Sequence, residues 1–497
     1  MVSPCLKTSP TVVIVGSGMA SLTAACLLAK DGFSVKVIEQ NYLPGGCTSS
    51  YWRKGFVFES GATTLVGLQQ GMPLHYLLQQ IGIEIPAWKL DLPMQVHLKN
   101  GQIVNRYQEL EAWIREVERI FGKKNQRAFW QFCYRVSQFV WQTSLKQTAF
   151  PPATLSDWWL CATRATIRQL SYARYAFFSM EYLLKKFDLL DNLPFVEFVN
   201  EQLLITAQNY LNEVNILFGA TALCYTNYDN FYVQGGLIHL VQPLVNYLQS
   251  KGSEVILREK VEKIIRKSKH YEVQTNKGSY IADFIISGIP INNTLQIYEG
   301  THSQKFAKKL LQSEYLHSAF QMGIGFKLEE ENLKHLPPNC IHFQIHLPQP
   351  LTEIGSKSIF VSLSHPKDIT RSDYPNMRVA SVSTHISHPA KYTSINKTQV
   401  EKEIIQILAQ KKWLNPENIV YSHSSTQKSW EKWTGRMYGF VGGYPQYFRI
   451  KPWQMIEARL DHYKAYICGD TTYPGQGIPG TVLSGIIAYQ KLKRDWF

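Results

Sequence analysis

Short apolar runs and a helix-like stretch alternate over residues 11–39. Residues 11–15 form an apolar, β-branched run that ends at Gly16-Ser17-Gly18, a pattern typical of a buried parallel strand meeting a turn. Residues 19–30 are rich in helix formers and stop at Asp31-Gly32, and a second apolar run over 33–38 ends in Glu39. This order predicts a strand, a helix and a strand, and therefore an α/β fold.

The pattern changes twice further along the chain. Apolar residues recur at three- and four-residue spacing in segments 110–121, 126–143 and 165–187, which predicts a mainly helical region over 71–231. Strand patterns are predicted at 254–258, 271–275, 282–287 and 465–468. Residues 291–430 are mixed, and the last strand leads through a glycine-rich turn into a closing helix over 482–492.

The turn after the first strand suits the phosphates of a dinucleotide. Backbone N–H groups at a helix N-terminus bind phosphate, and Gly16 and Gly18 let the turn close and the backbone approach. Ser21, where Gly or Ala is usual, is small enough for the helix to pack on the strand. Glu39 can accept hydrogen bonds from ribose hydroxyls. The predicted cofactor-binding residues here are Gly16, Ser17, Gly18, Met19, Ala20, Ser21 and Glu39.

A second glycine-rich turn lies near the C-terminus. Gly469 and Asp470 follow the last strand, and residues 474–480 (PGQGIPG) lead into the closing helix. A second helix start with a carboxylate suits the ribityl chain and ring system of a flavin, whereas a nicotinamide dinucleotide needs no such second site. We therefore predict FAD, bound also by Gly469, Asp470, Gly477 and Ile478. The alternative is a glycine turn of some other α/β protein.

These patterns predict a Rossmann-type FAD-binding domain that is discontinuous in sequence, with an inserted α+β region. We assign 1–70, 232–290 and 431–497 to the FAD-binding domain. Residues 71–231 form the helical, substrate- or membrane-associated region, and 291–430 form a mixed α+β substrate domain.

Further motifs resemble one family along the whole chain. Besides the two glycine-rich turns, the chain contains Pro44-Gly45-Gly46, the run 55–61 (GFVFESG) and Gly235-Gly236. Together they resemble the carotenoid desaturase and isomerase branch of the FAD-dependent amine-oxidase-like superfamily, most closely cyanobacterial C-3',4' carotenoid desaturases. The resemblance implies an FAD-dependent desaturase that introduces a C-3',4' double bond into a monocyclic carotenoid. It also implies that Gly45, Gly46 and the backbone of Val261 contact the cofactor.

Two positions depart from the family pattern. Many members have Arg after the glycine pair, whereas this chain has Cys47-Thr48, so that Arg53 is the nearest cation in sequence. The C-terminal turn combines Pro-Gly-Gln-Gly, as in the isomerases, with Ile-Pro-Gly, as in the desaturases. Arg53 and Glu59 complete the predicted cofactor residues, although Glu59 is as well explained by capping a glycine turn. We expect Cys47 to pack in the turn rather than act as a redox thiol.

The chemistry expected of such a site needs few side chains. Flavin N5 accepts a hydride equivalent from an unactivated C–C bond, while the protein orients the polyene and excludes water. The sequence shows no nucleophile elbow, metal-ligand cluster or paired-carboxylate motif. We therefore assign no catalytic residue and no metal, and no motif identifies the electron acceptor.

Charge bears on partners rather than on the fold. The formal net charge is +14, yet no nucleic-acid-binding motif accompanies it, so we expect no nucleic acid partner. The scattered cysteines and the absence of a signal-like N-terminus indicate an intracellular protein. No apolar stretch is long enough to span a membrane. Residues 158–187 combine aromatics with five cations, which predicts peripheral attachment to a membrane, plasma or thylakoid in a cyanobacterium; the alternative is an ordinary covering helix.

Three other functions stay open on the sequence alone. A carotenoid cis–trans isomerase using reduced FAD would share the fold and cofactor. An amine oxidase would need an aromatic cage and often a lysine close to the flavin. A flavin-bound carotenoid carrier would bind pigment without turnover.

Overall fold

The computed structural model describes residues 9–299, 306 and 308–497, so the start of the first predicted segment (1–8, with Cys5) lies outside the described residues. The first strand (Thr11–Val15), first helix (Met19–Lys30) and second strand (Ser34–Ile38) form the predicted unit. Gly16 takes a left-handed backbone conformation, with φ of 85°, which an L side chain rarely adopts. The mixed α/β fold is therefore confirmed.

A five-stranded parallel sheet forms the core of the cofactor region. Its order is Glu254–Ile256, Ser34–Ile38, Thr11–Val15, Phe284–Ser287 and Ala465–Ile467. The helices Met19–Lys30, Ile238–Ser250 and Ile478–Trp496 pack in one apolar cluster with the strands. The closing helix extends further at both ends than the predicted 482–492, because Pro479 occupies its first turn.

A four-stranded sheet packs on the other face of the parallel sheet. Its order is Ser279–Ala282, Tyr271–Thr275, Val261–Arg266 and Tyr298–Glu299. Two predicted strands are wrong in extent because the chain changes sheet within them. Arg258, with φ of 58°, separates Glu254–Ile256 from Val261–Arg266. Asp283 separates Ser279–Ala282 from Phe284–Ser287, and its carboxylate accepts hydrogen bonds from the Thr11 N–H and hydroxyl, both at 2.9 Å.

A seven-stranded mixed sheet forms the second core. Its order is Ile419–Ser425, His317–Lys327, Met377–Ser387, Ser358–Leu363, His342–His346, Met94–His97 and Ile103–Arg106. The last two strands come from the stretch predicted to be helical, so that prediction is incomplete: Met94–His97 pairs in parallel with His342–His346. The sheet therefore joins the two predicted non-cofactor regions, whose boundaries stay a prediction.

Eight α-helices lie within residues 71–231. They are Pro73–Ile81, Leu110–Phe121, Gln126–Ser144, Leu155–Thr163, Ile167–Ala173, Met180–Lys186, Leu193–Ala207 and Ile216–Leu223. The segment 165–187, predicted to be helical, is helical but not continuous: Ser179 starts a new helix by accepting a hydrogen bond from the Tyr182 N–H with its side chain. The segment predicted to attach to a membrane is thus divided among three short α-helices, Leu155–Thr163, Ile167–Ala173 and Met180–Lys186.

Shorter elements connect these cores. The hairpin Ser50–Arg53 and Phe56–Glu59 lies against the seven-stranded sheet, where Gly323 and Gly325 leave room for the Phe58 and Phe56 rings. A small sheet contains Leu65–Val66, Asn230–Val233 and Ala87–Lys89. The remaining α-helices of the part of the chain that the structure describes are Ile291–Ile297, Glu330–Leu333, Lys397–Gln410 and Gln427–Thr434.

Candidate functional site

A cavity of about 910 Å³ opens at the carboxyl ends of the parallel strands, where ligands bind in open α/β sheets. Residues from both ends and the middle of the chain line it. The predicted residues on its wall are Gly16, Ser17, Gly18, Met19, Ala20, Glu39, Gly45, Gly46, Arg53, Val261, Gly469 and Asp470.

Two glycine-containing turns meet on one side of this cavity. The Gly16 N–H donates to the Ile38 carbonyl at 2.8 Å, and the Gly45 N–H donates to the Ser17 carbonyl at 3.0 Å. A Cβ built on Gly46 would lie 3.7 Å from the Gly18 Cα, whereas one built on Gly18 meets no protein atom within 4 Å. Gly18 therefore faces open space at the start of a helix, as a phosphate site requires.

Glu39 is buried at the end of the second strand and is already hydrogen-bonded to the glycine turn. Its Oε2 accepts from the Ser17 N–H at 2.9 Å and the Ser17 hydroxyl at 2.7 Å, and its Oε1 accepts from the Asn41 N–H at 2.9 Å. Each carboxylate oxygen can accept a further bond. Contact with ribose hydroxyls stays a prediction, and the geometry leaves acceptor capacity for it.

Asp470 follows the last parallel strand, Ala465–Ile467, and pairs with Arg436. Arg436 Nη2 lies 2.8 Å from Asp470 Oδ2. Burial lowers the pKa of Arg436, but the Asp470 carboxylate outweighs it, so that the pKa is raised overall. Arg436 also acts electrostatically on Cys47, whose thiol pKa is raised mainly by burial. The sequence did not indicate Arg436, because this residue lies in the loop after the helix Gln427–Thr434, far from every recognised motif.

Four predicted residues do not lie on the cavity wall. Ser21, on the first helix, is fully buried against Gly288. Gly477 and Ile478 begin the closing helix, and Thr481 lines the cavity in their place. Their assignment as cofactor contacts stays a prediction, without support from their position.

Glu59, the fourth of these residues, is held by protein groups. Its Oε1 lies 2.7 Å from Arg371 Nη1, and its Oε2 accepts from the Ser50 hydroxyl at 2.6 Å and the Leu237 N–H at 3.2 Å. Leu237 follows the turn Gly235-Gly236. These contacts therefore fit the alternative role of Glu59, in which it caps a glycine turn.

A tyrosine–histidine pair on the cavity wall was not predicted. The Tyr51 hydroxyl lies 2.5 Å from His423 Nε2, and both residues line the cavity. Burial, with smaller contributions from Arg53 and Lys397, lowers the pKa of His423 to about 4, so the imidazole is neutral near pH 7. No sequence signal joins residues 372 positions apart.

Several buried polar atoms on the wall have no hydrogen-bond partner within the described part of the chain. They are Ser49 Oγ, Asn293 Oδ1, His423 Nδ1, Trp430 Nε1 and Arg436 Nη1. Buried polar groups are normally satisfied, so these atoms fit a polar ligand. With the open Gly18 and the cavity volume, the residues present fit a dinucleotide. Among the described residues there is no cluster able to hold a metal ion, and no helix long and apolar enough to cross a membrane.

The fold and site define a dinucleotide-binding α/β flavoprotein. The sequence profile of the flavin-containing amine oxidoreductases matches residues 19–491. The chain therefore belongs to this family and is an FAD-dependent oxidoreductase, which confirms the predicted superfamily and cofactor.

Full-length relatives and structures agree with this assignment. The chain is 23% identical to prolycopene isomerase 1 of an Oncidium hybrid cultivar, over 97% of this chain and 84% of the relative. It is 21% identical to 4,4'-diapolycopene oxygenase of a Methylomonas species, over 97% and 98%. Wild-type putrescine oxidase shares the fold, with a TM-score of 0.59 and 15% identity over 98% of this chain and 100% of that one.

Proposed function

We propose that the protein acts on a carotenoid and introduces a C-3',4' double bond into a monocyclic one. The observation that carries the carotenoid part is similarity over nearly the whole chain to enzymes named for prolycopene and diapolycopene. The position of the double bond and the monocyclic substrate are proposed from the resemblance of the motifs to C-3',4' carotenoid desaturases.

The geometry supports this chemistry by what the chain supplies. Bound FAD would provide the hydride acceptor. Gly16, Gly18 and Glu39 would hold its adenosine diphosphate half, and the pair formed by Asp470 and Arg436 supplies further charged groups on the same cavity wall. The protein itself would orient the polyene and exclude water from the site.

A carotenoid cis–trans isomerase is the second candidate. Four relatives are prolycopene isomerases, each similar over 97% of this chain. The Pro474 to Gly477 turn also matches the isomerase pattern, and Gln476 donates to the Thr206 carbonyl. That contact links the turn to the helix Leu193–Ala207, so the motif reaches beyond the cofactor domain.

Expression in a host that accumulates a monocyclic carotenoid separates the candidates. A desaturase yields a product lighter by two hydrogens with red-shifted absorption, because conjugation is extended. An isomerase yields a product of unchanged mass and a different retention time. The Gly18→Val variant serves as the control without flavin. Pigments identical in the parent and this variant would overturn the carotenoid proposal.

Two other functions are then tested directly on the purified protein. An amine oxidase would release hydrogen peroxide from amines. A carotenoid carrier would co-purify with pigment and leave it unchanged. Either outcome replaces the proposal.

We also propose that the protein attaches peripherally to an anionic membrane, because a C40 polyene resides in the bilayer. The support is an apolar face on the segment 155–182, where seven large apolar side chains are exposed. They are Leu155, Trp158, Trp159, Ile167, Phe177, Phe178 and Tyr182. Exposed cations are Arg164 and Arg174 on this segment and Lys185 and Lys186 directly after it. Aromatic and basic side chains together suit an interfacial surface.

The apolar face is fixed firmly to the cofactor domain. On its first helix, Leu155–Thr163, Asp157 is fully buried, and its Oδ2 lies 2.5 Å from Arg459 Nη1. Lys491 of the closing helix lies 3.6 Å from the same oxygen. Binding of the face would therefore orient the whole cofactor domain on the membrane.

Vesicle sedimentation tests the attachment. We expect salt-sensitive binding to anionic vesicles and weak binding to neutral ones, since each basic residue contributes about 1 kcal/mol near an anionic surface. Changing Arg164, Arg168 and Arg174 together to Glu should release the protein at low salt; the Arg168 side chain itself lies outside the described ones. The matched control changes Lys269, Lys334 and Lys402 to Glu. Equal loss in both variants would show a charge effect without a specific face.

A further inference from the structure

Only one of the two terminal nitrogens of the Arg436 guanidinium has a hydrogen-bond partner among the described residues. Gly435 ends the helix Gln427–Thr434 in a left-handed conformation, with φ of 68°, and Arg436 then enters the cavity wall. Nη2 bonds Asp470 at 2.8 Å, and the side chain is 15% exposed. Nη1 is buried and has no hydrogen-bond partner among the described residues. A buried donor without a partner costs about 1–3 kcal/mol, so a ligand atom is expected there.

The neighbours of Arg436 relate it to the glycine turns. It acts electrostatically on Cys47, which directly follows Gly46. Gly46 in turn adjoins Gly18, the residue that faces open space at the start of the first helix. Arg436 therefore lies on the part of the wall that connects the phosphate turn with Asp470.

Charge points to an anion at this place. The other cations on the cavity wall are Arg53, Lys260 and Lys432, and all three are exposed, so water screens them. Arg436 is the least exposed of the four, so water and salt screen its charge less. The chain also has Cys47 where many family members have Arg, so no cation follows the glycine pair.

We propose that Arg436 binds the diphosphate of FAD through Nη1 while Asp470 holds Nη2. A guanidinium presents parallel donors that suit this bridging role. The loop after the helix Gln427–Thr434 thereby supplies the cation that is missing after Gly46. This inference concerns the cofactor and does not depend on the carotenoid substrate.

Release of FAD from the purified holoprotein tests it. The dissociation constant is measured by the fluorescence of released FAD on dilution, at several salt concentrations. Arg436→Gln should weaken binding about 10- to 100-fold, as for the loss of a charge-assisted hydrogen bond, and should make it less salt-dependent. The control is Lys428→Gln, which removes an exposed charge outside the cavity, on the helix Gln427–Thr434 that precedes Arg436. It should change the dissociation constant less than about threefold. An unchanged constant in Arg436→Gln would overturn the proposal.

Two further measurements exclude other roles for Arg436. Repeating Arg436→Gln in an Asp470→Asn background should give a similar loss; disappearance of the effect would mean that Arg436 merely neutralises Asp470. The midpoint potential of the bound flavin should stay unchanged, because the diphosphate has the same charge in both redox states. A lowered potential would place the guanidinium at the flavin ring and overturn the proposal. Arg436→Lys should restore part of the affinity, and thermal unfolding of each variant checks the fold.

Discussion

The two main sheets of this protein bury very different side chains. The five strands of the parallel sheet are mainly apolar, as in residues 11–15 (TVVIV), and contain no histidine. The strands of the seven-stranded sheet carry six histidines whose pKa burial lowers to about 3 or 4. They are His97, His317, His342, His346, His385 and His423.

Buried polar bonds also hold the seven-stranded sheet to its helices. Ser358 donates to the Glu201 carboxylate at 2.6 Å, and burial raises the pKa of Glu201. The parallel sheet is stabilised by apolar packing, which does not depend on charge, whereas the second sheet depends on groups that can titrate or lose a partner. The cofactor region should therefore tolerate changes of pH and charge better than the other region.

The largest expected effect comes from the buried ion pair beside the seven-stranded sheet. Arg371→Met leaves the Glu59 carboxylate buried without its cation, which should lower the free energy of unfolding by about 3–5 kcal/mol. Adding Glu59→Gln should recover part of the loss. On the parallel sheet, Lys36→Met removes a partly exposed pair with Glu254 and should change stability by about 1 kcal/mol or less. Urea unfolding compares them; equal losses would contradict the contrast between the regions.

The next effect separates cofactor binding from folding within the parallel sheet region. Gly18→Val should weaken FAD binding at least about 100-fold, because the valine side chain would occupy the space for the phosphates. Its backbone φ of −65° and ψ of 169° suit valine, so the fold should persist. By contrast, a Cβ on Gly288 would lie 1.7 Å from Ser21 Oγ, so Gly288→Ala should destabilise the protein itself. Flavin absorbance and circular dichroism report the two outcomes; flavin retained by Gly18→Val would refute the site.

The smallest effect is the pH dependence of the seven-stranded sheet. Burial lowers the pKa of His342 from 6.5 to about 3. Between these values the unfolded chain binds a proton that the folded protein does not, so stability falls as the pH falls below 6.5. One such proton contributes at most about 1.4 kcal/mol per pH unit.

His342→Gln should reduce the pH dependence of the free energy of unfolding by the contribution of one proton. The control is His335→Gln, at an exposed histidine. Urea unfolding at pH 7 and pH 5 measures the difference. A parent protein equally stable at both pH values would contradict the expected sensitivity of this sheet.

Local patterns determined the cofactor half of the molecule. The runs before Gly16 and Glu39 are apolar because a parallel sheet is covered on both faces, and a glycine turn is needed wherever backbone approaches phosphate. These requirements act within about thirty residues, so the sequence was enough for the first strand, helix and strand. Twelve of the sixteen predicted cofactor residues lie on the cavity wall, and their contact with the cofactor stays a prediction.

Only the tertiary structure decided the contacts between distant segments. The Tyr51–His423 and Glu59–Arg371 pairs join residues 372 and 312 positions apart, and Arg436 reaches Asp470 from a loop without a motif. Polar residues buried in the seven-stranded sheet also break the alternation that predicts strands, so Met94–His97 and Ile103–Arg106 were missed. A buried charge is stabilised by whichever partner the fold brings to it, and sequence spacing does not determine that partner.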